Sequence, residues 1–426
     1  MEASNGRTMR TSLPADRRVV FTGIGVVAPN GIGTDKWWKA TCAGTTGIAP
    51  ITRFETDKYA SKLAGEVDGF DPEEYIARRL MVQTDRWTWM ALAATQMALE
   101  DAKFDPAEQE DPYSMSAITA SSSGGNEFGQ QEIQNLWGKG PGFVGAYQSI
   151  AWFYAATTGQ ISIKHGLKGT SGVVIAEGAG GLEAIQHSRR TIRRGTDFIV
   201  SGGLEAPIGP YALACQMANG YLSEAAEPAD AYRPFDARAN GYVMGEGGAI
   251  VVAEAAEHAS GRNAPQVYGE LLGYGATQDA FHWRLPEPDG RRYARAIEIA
   301  LADAGIKADD VDVVFADAFG VPEWDLIEAN AIKSVFGKRA GEVPVTAPKS
   351  MTGRLYAGGA SLDVAAALLA LRDGVIPPTI NLDTPADGCD LNVVTGQAKK
   401  AKLATALVLA RGYGGFNSAL VLRGAA

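Results

Sequence analysis

The chain has 426 residues, 46% of them hydrophobic, which is enough apolar material for a large buried core. Its formal net charge is −10, and this acidic balance argues against nucleic-acid binding, which requires a basic surface. No stretch approaches the roughly 18 consecutive apolar residues of a membrane-spanning helix, so no membrane segment is expected.

The amino-terminal region predicts a polar leader, residues 1–17, followed by a buried strand that starts at Val19. The leader has neither an apolar core nor a cleavage signature, so it is expected to be disordered and not a signal peptide. The strand contains Gly23-x-Gly25-x-x-Ala28, which superficially matches a dinucleotide-binding fingerprint. That fingerprint must open a helix directly after the strand, whereas here two valines prolong the strand and a turn follows. Nucleotide binding is therefore not expected.

Helical segments and short apolar strands alternate along the rest of the chain. The predicted helices are 86–103, 181–194, 292–304 and 361–372, and the predicted strands are 116–120, 199–203, 249–253, 311–317, 405–410 and 418–422. Gly374 is a suitable C-cap residue for the last of these helices. This alternation predicts a layered α/β fold with buried, largely parallel strands.

Three cysteines are widely separated in the sequence and form no CxxC pair. They are Cys42, Cys215 and Cys389. This usage predicts neither a disulfide framework nor a zinc site, and it fits a reducing, cytoplasmic compartment.

Four ordered segments carry a family pattern. They read VVIAEGAGGLEA (173–184), RPFDARANGYVMGEGGAIVVAE (233–254), VVFADAFGVPEWD with APKSMTGRLYAGGA (313–325 and 347–360), and ARGYGGFNSALVL (410–422). Together they resemble the β-ketoacyl synthase branch of the thiolase superfamily, and the resemblance covers the chain after Arg18. It implies a five-layer αβαβα fold with two similar halves, 18–257 and 258–426.

The departures from this pattern concern catalysis. A condensing member of the family has a nucleophilic cysteine in a strand-to-helix elbow and two histidines that assist decarboxylation and stabilise negative charge. Here the resemblance places Gly178 at the elbow, Asp317 and Arg354 at the two histidine positions, and retains Lys349. Because glycine cannot form a covalent acyl intermediate, no catalytic residue is expected. A glutamine at position 178 is expected to leave the fold intact.

This pattern of loss resembles the chain-length factors, or ketosynthase-β subunits, of aromatic type II polyketide synthases. The segments AEGAGG, FADAFGVP, PKSMTGRLYAGG and LVLARGYGGFNSA carry the likeness. It implies a non-catalytic subunit of an acyltransferase complex in antibiotic biosynthesis, without a cofactor or metal. The partners implied are an active ketosynthase-α subunit and an acyl carrier protein with a phosphopantetheine-bound acyl chain. The pair would form the tunnel for iterative decarboxylative condensation of malonyl units into a poly-β-ketone.

The same resemblance assigns a chain-length gate to Asn126, Gly129 and Ile133, with Tyr211 nearby. Spacings of three and four residues put the first three on one face of a helix. Two of them are small or polar, which predicts a comparatively deep tunnel.

Three alternatives stay open at this point. Asp317 and Arg354 are interpreted as structural groups that hydrogen-bond each other, but they could instead serve with Lys349 in an independent malonyl-thioester decarboxylase or acyltransferase. The chain could also be a homodimeric binding protein. Finally, the arginine run Arg189, Arg190, Arg193 and Arg194 is either a solvated helix face or an anchor for the subunit interface or for an acidic acyl carrier protein.

Overall fold

The computed structural model describes residues 17–425. Its strands are β1 (Val19–Ala28), β2 (Gly31–Ile32), β3 (Ile48–Pro50), β4 (Leu63–Gly65), β5 (Met115–Ala120), β6 (Gly172–Val174), β7 (Phe198–Glu205), β8 (Gly247–Ala255), β9 (Gly269–Gln278), β10 (Val313–Phe315), β11 (Val345–Thr346), β12 (Val375–Ile376), β13 (Lys399–Lys400), β14 (Thr405–Gly412) and β15 (Phe416–Gly424). Its α-helices are α1 (Thr34–Cys42), α2 (Arg78–Met81), α3 (Arg86–Asp101), α4 (Asn126–Lys139), α5 (Gln148–Ala151), α6 (Ala156–His165), α7 (Gly180–Ile192), α8 (Pro210–Met217), α9 (Pro228–Ala231), α10 (Ala256–Gly261), α11 (Arg291–Ala304), α12 (Pro322–Phe336) and α13 (Ala357–Asp373).

Ten of the strands form two sets with the same internal order. The first set runs β6-β5-β7-β8-β1 and the second runs β11-β10-β14-β15-β9, so each reads 3-2-4-5-1 in its own chain order. In each set two neighbouring pairs are parallel and two are antiparallel. The expectation of largely parallel strands is therefore wrong for half of the pairings. A short antiparallel contact between β1 and β9 joins the two sets.

The helices complete five layers. Helix α3 packs on the outer side of the first set of strands, and α11 and α12 pack on the outer side of the second. Helices α7 and α13 lie between the two sets, where their apolar side chains form the central core with both. The αβαβα architecture with two similar halves, expected from the resemblance, is confirmed.

Glycines allow the two central helices to approach closely. A Cβ built on Gly181 of α7 would lie 2.5 Å from the Ser361 hydroxyl oxygen of α13. Helix α13 lies equally close to β8, since a Cβ built on Gly358 would be 2.2 Å from the carbonyl oxygen of Gly247. Side chains at these positions would overlap with their neighbours, so the small residues of the AEGAGG segment pack α7 against α13 of the same chain.

The apparent nucleotide fingerprint in β1 also has a packing role. A Cβ on Gly23 would lie 2.1 Å from the carbonyl oxygen of Ala98, and one on Gly25 would lie 1.9 Å from that of Ala94. Both oxygens belong to α3, so the two glycines let this helix lie directly on β1.

The leader predicted at residues 1–17 lies outside the described residues except for its last member. Arg17 is buried and forms ion pairs with Asp197 and Glu257. It also donates hydrogen bonds to the carbonyl oxygens of Ile192 (2.9 Å) and Thr196 (2.8 Å), so Arg17 belongs to the folded body. Across residues 17–425, none of the helices is long and apolar enough to cross a membrane.

The close contact between β1 and α3 predicts a specific sensitivity. We expect Gly25→Ala to lower the free energy of unfolding by roughly 1–3 kcal/mol, because the added methyl group has no space against the α3 backbone. Gly261→Ala is the matched control, since it ends α10 with no atom within 4 Å of the new Cβ. Thermal unfolding of the two variants measures the difference, and equal stability would contradict the packing described.

Candidate functional site

The elbow after β6 places Gly178 in a buried 3₁₀ turn, Glu177–Ala179, immediately before α7. A Cβ built on Gly178 would lie 2.3 Å from the carbonyl oxygen of Arg411 and 3.0 Å from an Arg354 guanidinium nitrogen. The neighbouring strand would have to move to admit any side chain. Glutamine at this position therefore requires a local shift of β14, and that the fold stays intact with it stays a prediction.

Asp317 and Arg354 form a bidentate ion pair beside this turn. The two Nη atoms of Arg354 each lie 3.2 Å from a different carboxylate oxygen of Asp317. The guanidinium also donates to the carbonyl oxygens of Asp317 (3.2 Å) and Arg411 (3.3 Å), and it lies 4.1 Å above the ring centroid of Phe319. The prediction that these two residues hydrogen-bond each other is confirmed.

The local charges keep this pair ionised. Burial acts to raise the pKa of Asp317, but the charges of Arg354 and Lys349 hold it below its usual value. Burial acts to lower the pKa of Arg354, but Asp317 raises it well above the ordinary arginine value. Each buried charge is compensated by the other, which is the condition under which such a pair is tolerated inside a protein.

Lys349, the family lysine, has two structural partners. Its Nζ donates to the carbonyl oxygen of Ala316 (2.9 Å) and forms an ion pair with the Asp363 carboxylate on α13 (2.5 Å). Both side chains are buried. Burial raises the pKa of Asp363 to about 6, against the lowering effect of Lys349. The lysine thus links the strand end to the central helix.

Sequence reasoning missed three charged residues of this cluster. Arg411 is buried, donates to the carbonyl oxygen of Trp324 (2.7 Å), and its main-chain N–H donates to Asp317 (3.1 Å). Glu328 accepts the main-chain N–H groups of Asp317 (2.8 Å) and Ala318 (2.7 Å). The third is Asp363, and the signal for it was available: a lone carboxylate within an Ala/Leu-rich helix needs a buried partner.

The ion pairs leave very little space. A cavity of about 10 Å³ lies among Gly178, Asp317, Lys349 and Arg354. A second of about 10 Å³ lies beside Glu177 and the tyrosines around it. Each volume holds about one water molecule at most. Neither accommodates an acyl thioester or a pantetheine arm.

The gate positions predicted from the resemblance lie on α4 and α8. Gly129 is buried, and a Cβ on it would lie 2.8 Å from the Trp152 ring, so the small residue does not by itself open a space. Ile133 is 49% exposed and Tyr211 is 56% exposed. The main-chain N–H of Tyr211 donates to the Gln130 side chain (2.9 Å), which brings α8 against α4. Trp152 was not predicted as part of this group.

Asn126 lies at the amino end of α4 on the edge of a larger cleft. This cleft has a volume of about 490 Å³ and runs between α3, α4 and α8. Its walls are mixed, with Phe54, Trp89 and Ile208 beside the polar Arg53 and Gln130.

An unusual number of large apolar side chains are exposed around α4. We call them the α4 apolar surface: Ile133, Leu136, Trp137, Phe143, Tyr147, Ile150, Trp152, Phe153 and Tyr211. Trp137 is 81% exposed. Exposed aromatic groups at this density mark a surface that a partner covers.

The arginine run within 189–194 contains both a buried and two exposed side chains. Arg189 is buried, forms an ion pair with Asp303 and donates to the carbonyl oxygen of Leu272 (3.0 Å). Arg190 and Arg194 are exposed. Arg189 is therefore structural, and for the exposed pair both the solvated face and the anchor stay predictions.

Comparison with known sequences identifies the family over most of the chain. The β-ketoacyl synthase N-terminal domain matches residues 16–258, and the C-terminal domain matches residues 268–383. The tetracenomycin polyketide synthase ketoacyl synthase beta subunit of Streptomyces glaucescens is 53% identical, covering 96% of this chain and 99% of that protein. The actinorhodin polyketide putative beta-ketoacyl synthase 2 of Streptomyces coelicolor is 50% identical over 95% and 98%. By contrast, the 3-oxoacyl-[acyl-carrier-protein] synthase 2 of Coxiella burnetii is 36% identical over 95% and 98%.

Solved structures give the same result. The ishigamide ketosynthase/chain length factor superposes with a TM-score of 0.87 and 29% identity, covering 96% of this chain and all of that one. A type II polyketide synthase acyl-carrier protein in complex with its ketosynthase, AntDE:AntF, gives a TM-score of 0.88 at 29% identity with the same coverage. The chain belongs to the β-ketoacyl synthase family, in the branch of polyketide synthase ketosynthase β subunits, the chain-length factors.

Proposed function

We propose that this chain is a non-catalytic subunit that pairs with an active ketosynthase and helps to set the length of the poly-β-ketone made by the pair. The observation that carries the proposal is the occupied elbow site. Gly178 offers no nucleophile, and the Asp317–Arg354 ion pair fills the space beside it. Catalysis must then come from a second subunit with an intact cysteine and histidines.

The relatives support the same role. The tetracenomycin relative is named a beta subunit, and the ishigamide structure is named a ketosynthase/chain length factor. The AntDE:AntF structure is described as a complex of a ketosynthase with its carrier protein and a bound hexaketide. By analogy, the partners of this chain are a ketosynthase-α subunit and an acyl carrier protein.

Two surface features fit a partner on the side of α4. Strand β6 is an edge strand of only three residues, so its outer N–H and C=O groups are open to pairing with another chain. The α4 apolar surface lies in the segment before it and on α8. We place the ketosynthase on these two features, where it would cover the exposed aromatic groups.

The chain-length gate belongs to the same proposal. Asn126, Gly129 and Ile133 follow one face of α4, and Tyr211 lies beside that helix. With the partner in place, this face would border the tunnel. Trp152 joins the gate because its ring packs directly on Gly129.

An independent decarboxylase or acyltransferase is not favoured. It would need a reactive group that faces a substrate-sized space. Lys349 is bound to Asp363, Asp317 is bound to Arg354, and the adjoining cavity is about 10 Å³.

Two further points complete the proposal. We place the boundary of the two halves at residues 257 and 258, supported by the repeated strand order on either side of α10. We also assign the chain to the cytoplasm, supported by the three free cysteines.

The central experiment uses the purified chain with malonyl-loaded carrier protein. We expect neither an elongated product nor a covalent acyl adduct on this chain, because the elbow has no nucleophile. Intact-mass spectrometry makes the measurement, and the chain co-purified with its ketosynthase partner is the positive control. A malonyl or acetyl adduct on any residue of this chain would contradict the proposal.

Breaking the Asp317–Arg354 ion pair should destabilise the folded chain. We expect Arg354→Ala to lower the free energy of unfolding by roughly 3–5 kcal/mol, because it removes the bidentate partner of the buried Asp317 carboxylate. The control is Arg295→Ala, which breaks an exposed pair with Glu298 and should change stability by less than about 1 kcal/mol. Denaturant unfolding compares the two, and similar losses would contradict the view that the two buried charges depend on each other.

The gate assignment predicts a change of product. We expect Gly129→Phe to shorten the polyketide made by the heterodimer, because the new ring must displace Trp152 towards the tunnel. Gln131→Phe is the control, since position 131 lies on the opposite side of α4 from position 129. Mass spectrometry of the products gives the chain length. If an intact Gly129→Phe heterodimer makes the native length, the gate lies elsewhere.

A further inference from the structure

Helix α4 begins directly after the loop that leaves β5, and one buried carboxylate holds this loop. Glu205, the last residue of β7, accepts hydrogen bonds from the main-chain N–H groups of Ser122 (2.5 Å) and Ser123 (3.3 Å). It also accepts from the hydroxyl groups of Ser121 (3.3 Å) and Ser123 (2.5 Å). A single side chain thereby fixes three consecutive residues of the loop.

The same loop and helix have other anchors at this end, among them the ion pair of Glu127 with Arg53 and the hydrogen bond from the Ser121 N–H to the carbonyl oxygen of Val174 (3.1 Å). The main-chain N–H of Phe128 donates to the buried Asp85 carboxylate (2.8 Å), which ties the first turn of α4 to the start of α3. The N–H of Gly125 donates to the carbonyl oxygen of Trp152 (3.2 Å). These contacts fix the position of α4 relative to the sheet and to Trp152.

All four hydrogen bonds to Glu205 come from neutral donors, and the side chain is completely buried. Burial raises the pKa of Glu205 to about 7, against the lowering effect of these bonds. Neither the ion-pair cluster nor the α4 apolar surface includes this residue. A completely buried carboxylate whose hydrogen-bond donors all belong to one loop holds that loop in place.

We propose that Glu205 is the positioning residue of the chain-length gate: it fixes the 121–125 loop and so sets where the gate face of α4 stands. The inference rests on the gate role proposed above for α4. It adds a residue that touches neither the tunnel nor the growing chain, and whose loss would let the amino end of α4 move. Asn126 and Gly129 would move with it.

The test is Glu205→Gln in the complete heterodimer. The amide keeps the shape of the side chain but replaces one acceptor oxygen with a donor, which must face an N–H or O–H of the loop. Loss of one such hydrogen bond shifts a population by roughly two- to tenfold. We expect the ratio of off-length to main product to rise by that factor, with faster hydrogen exchange in residues 121–133.

Asp325→Asn is the matched control. Asp325 is also buried, has a pKa raised by burial to about 7, and accepts two main-chain N–H groups, from Phe235 and Gly320. It lies in the second half, away from α4. We expect this variant to lose stability without a change in product length or in exchange at α4.

If Glu205→Gln does not fold, Ser123→Ala serves as a milder test of the same contact. It removes only the hydroxyl donor, so a smaller shift in the same direction is expected. Unchanged product ratios and unchanged exchange at α4 in a folded variant, while Gly129→Phe still shortens the product, would overturn the positioning role alone. Unchanged length in both Glu205→Gln and Gly129→Phe would instead overturn the proposed gate.

Discussion

The buried ion pair between Asp317 and Arg354 closes the site beside the elbow turn. A charge inside a protein is tolerated only when an opposite charge and hydrogen bonds compensate it. Here the two Nη atoms of Arg354 each donate to one carboxylate oxygen of Asp317, and each also donates to a main-chain carbonyl oxygen. The pair occupies the place where, by family resemblance, a condensing member carries its two histidines. Here that place is filled by side chains and leaves a cavity of only about 10 Å³.

The same logic extends outward from the pair. Lys349, bound to Asp363, joins the strand ends to the central helix α13, and glycines pack α13 against α7. The inside of the chain is therefore closed and rigid, while the side that carries α4 exposes large aromatic groups. Proteins of this size rarely leave such a surface uncovered. A filled site beside Gly178 together with an exposed α4 apolar surface is the combination expected of a non-catalytic subunit that binds a partner.

Sequence patterns predicted the larger elements well because their burial is periodic or continuous, as in the strand at 199–203, now β7, and the helix at 86–103, now α3. They missed β9 and α12, and they did not predict the antiparallel pairs, since strand direction depends on connections between distant segments. The pairing of Asp317 with Arg354 was predictable because a buried charge is tolerated only when an opposite charge compensates it. The packing of Trp152 on Gly129 was not, because no local pattern connects positions so placed.

A structure of the heterodimer with a carrier-bound polyketide would show the path of the growing chain. We expect this chain to be attached to the partner subunit, to pass between the two proteins and to end against the face of α4. The space beside Gly178 should still hold the Asp317–Arg354 pair and no part of the substrate. Density for the acyl chain or the pantetheine arm beside Gly178, with the ion pair opened, would contradict it.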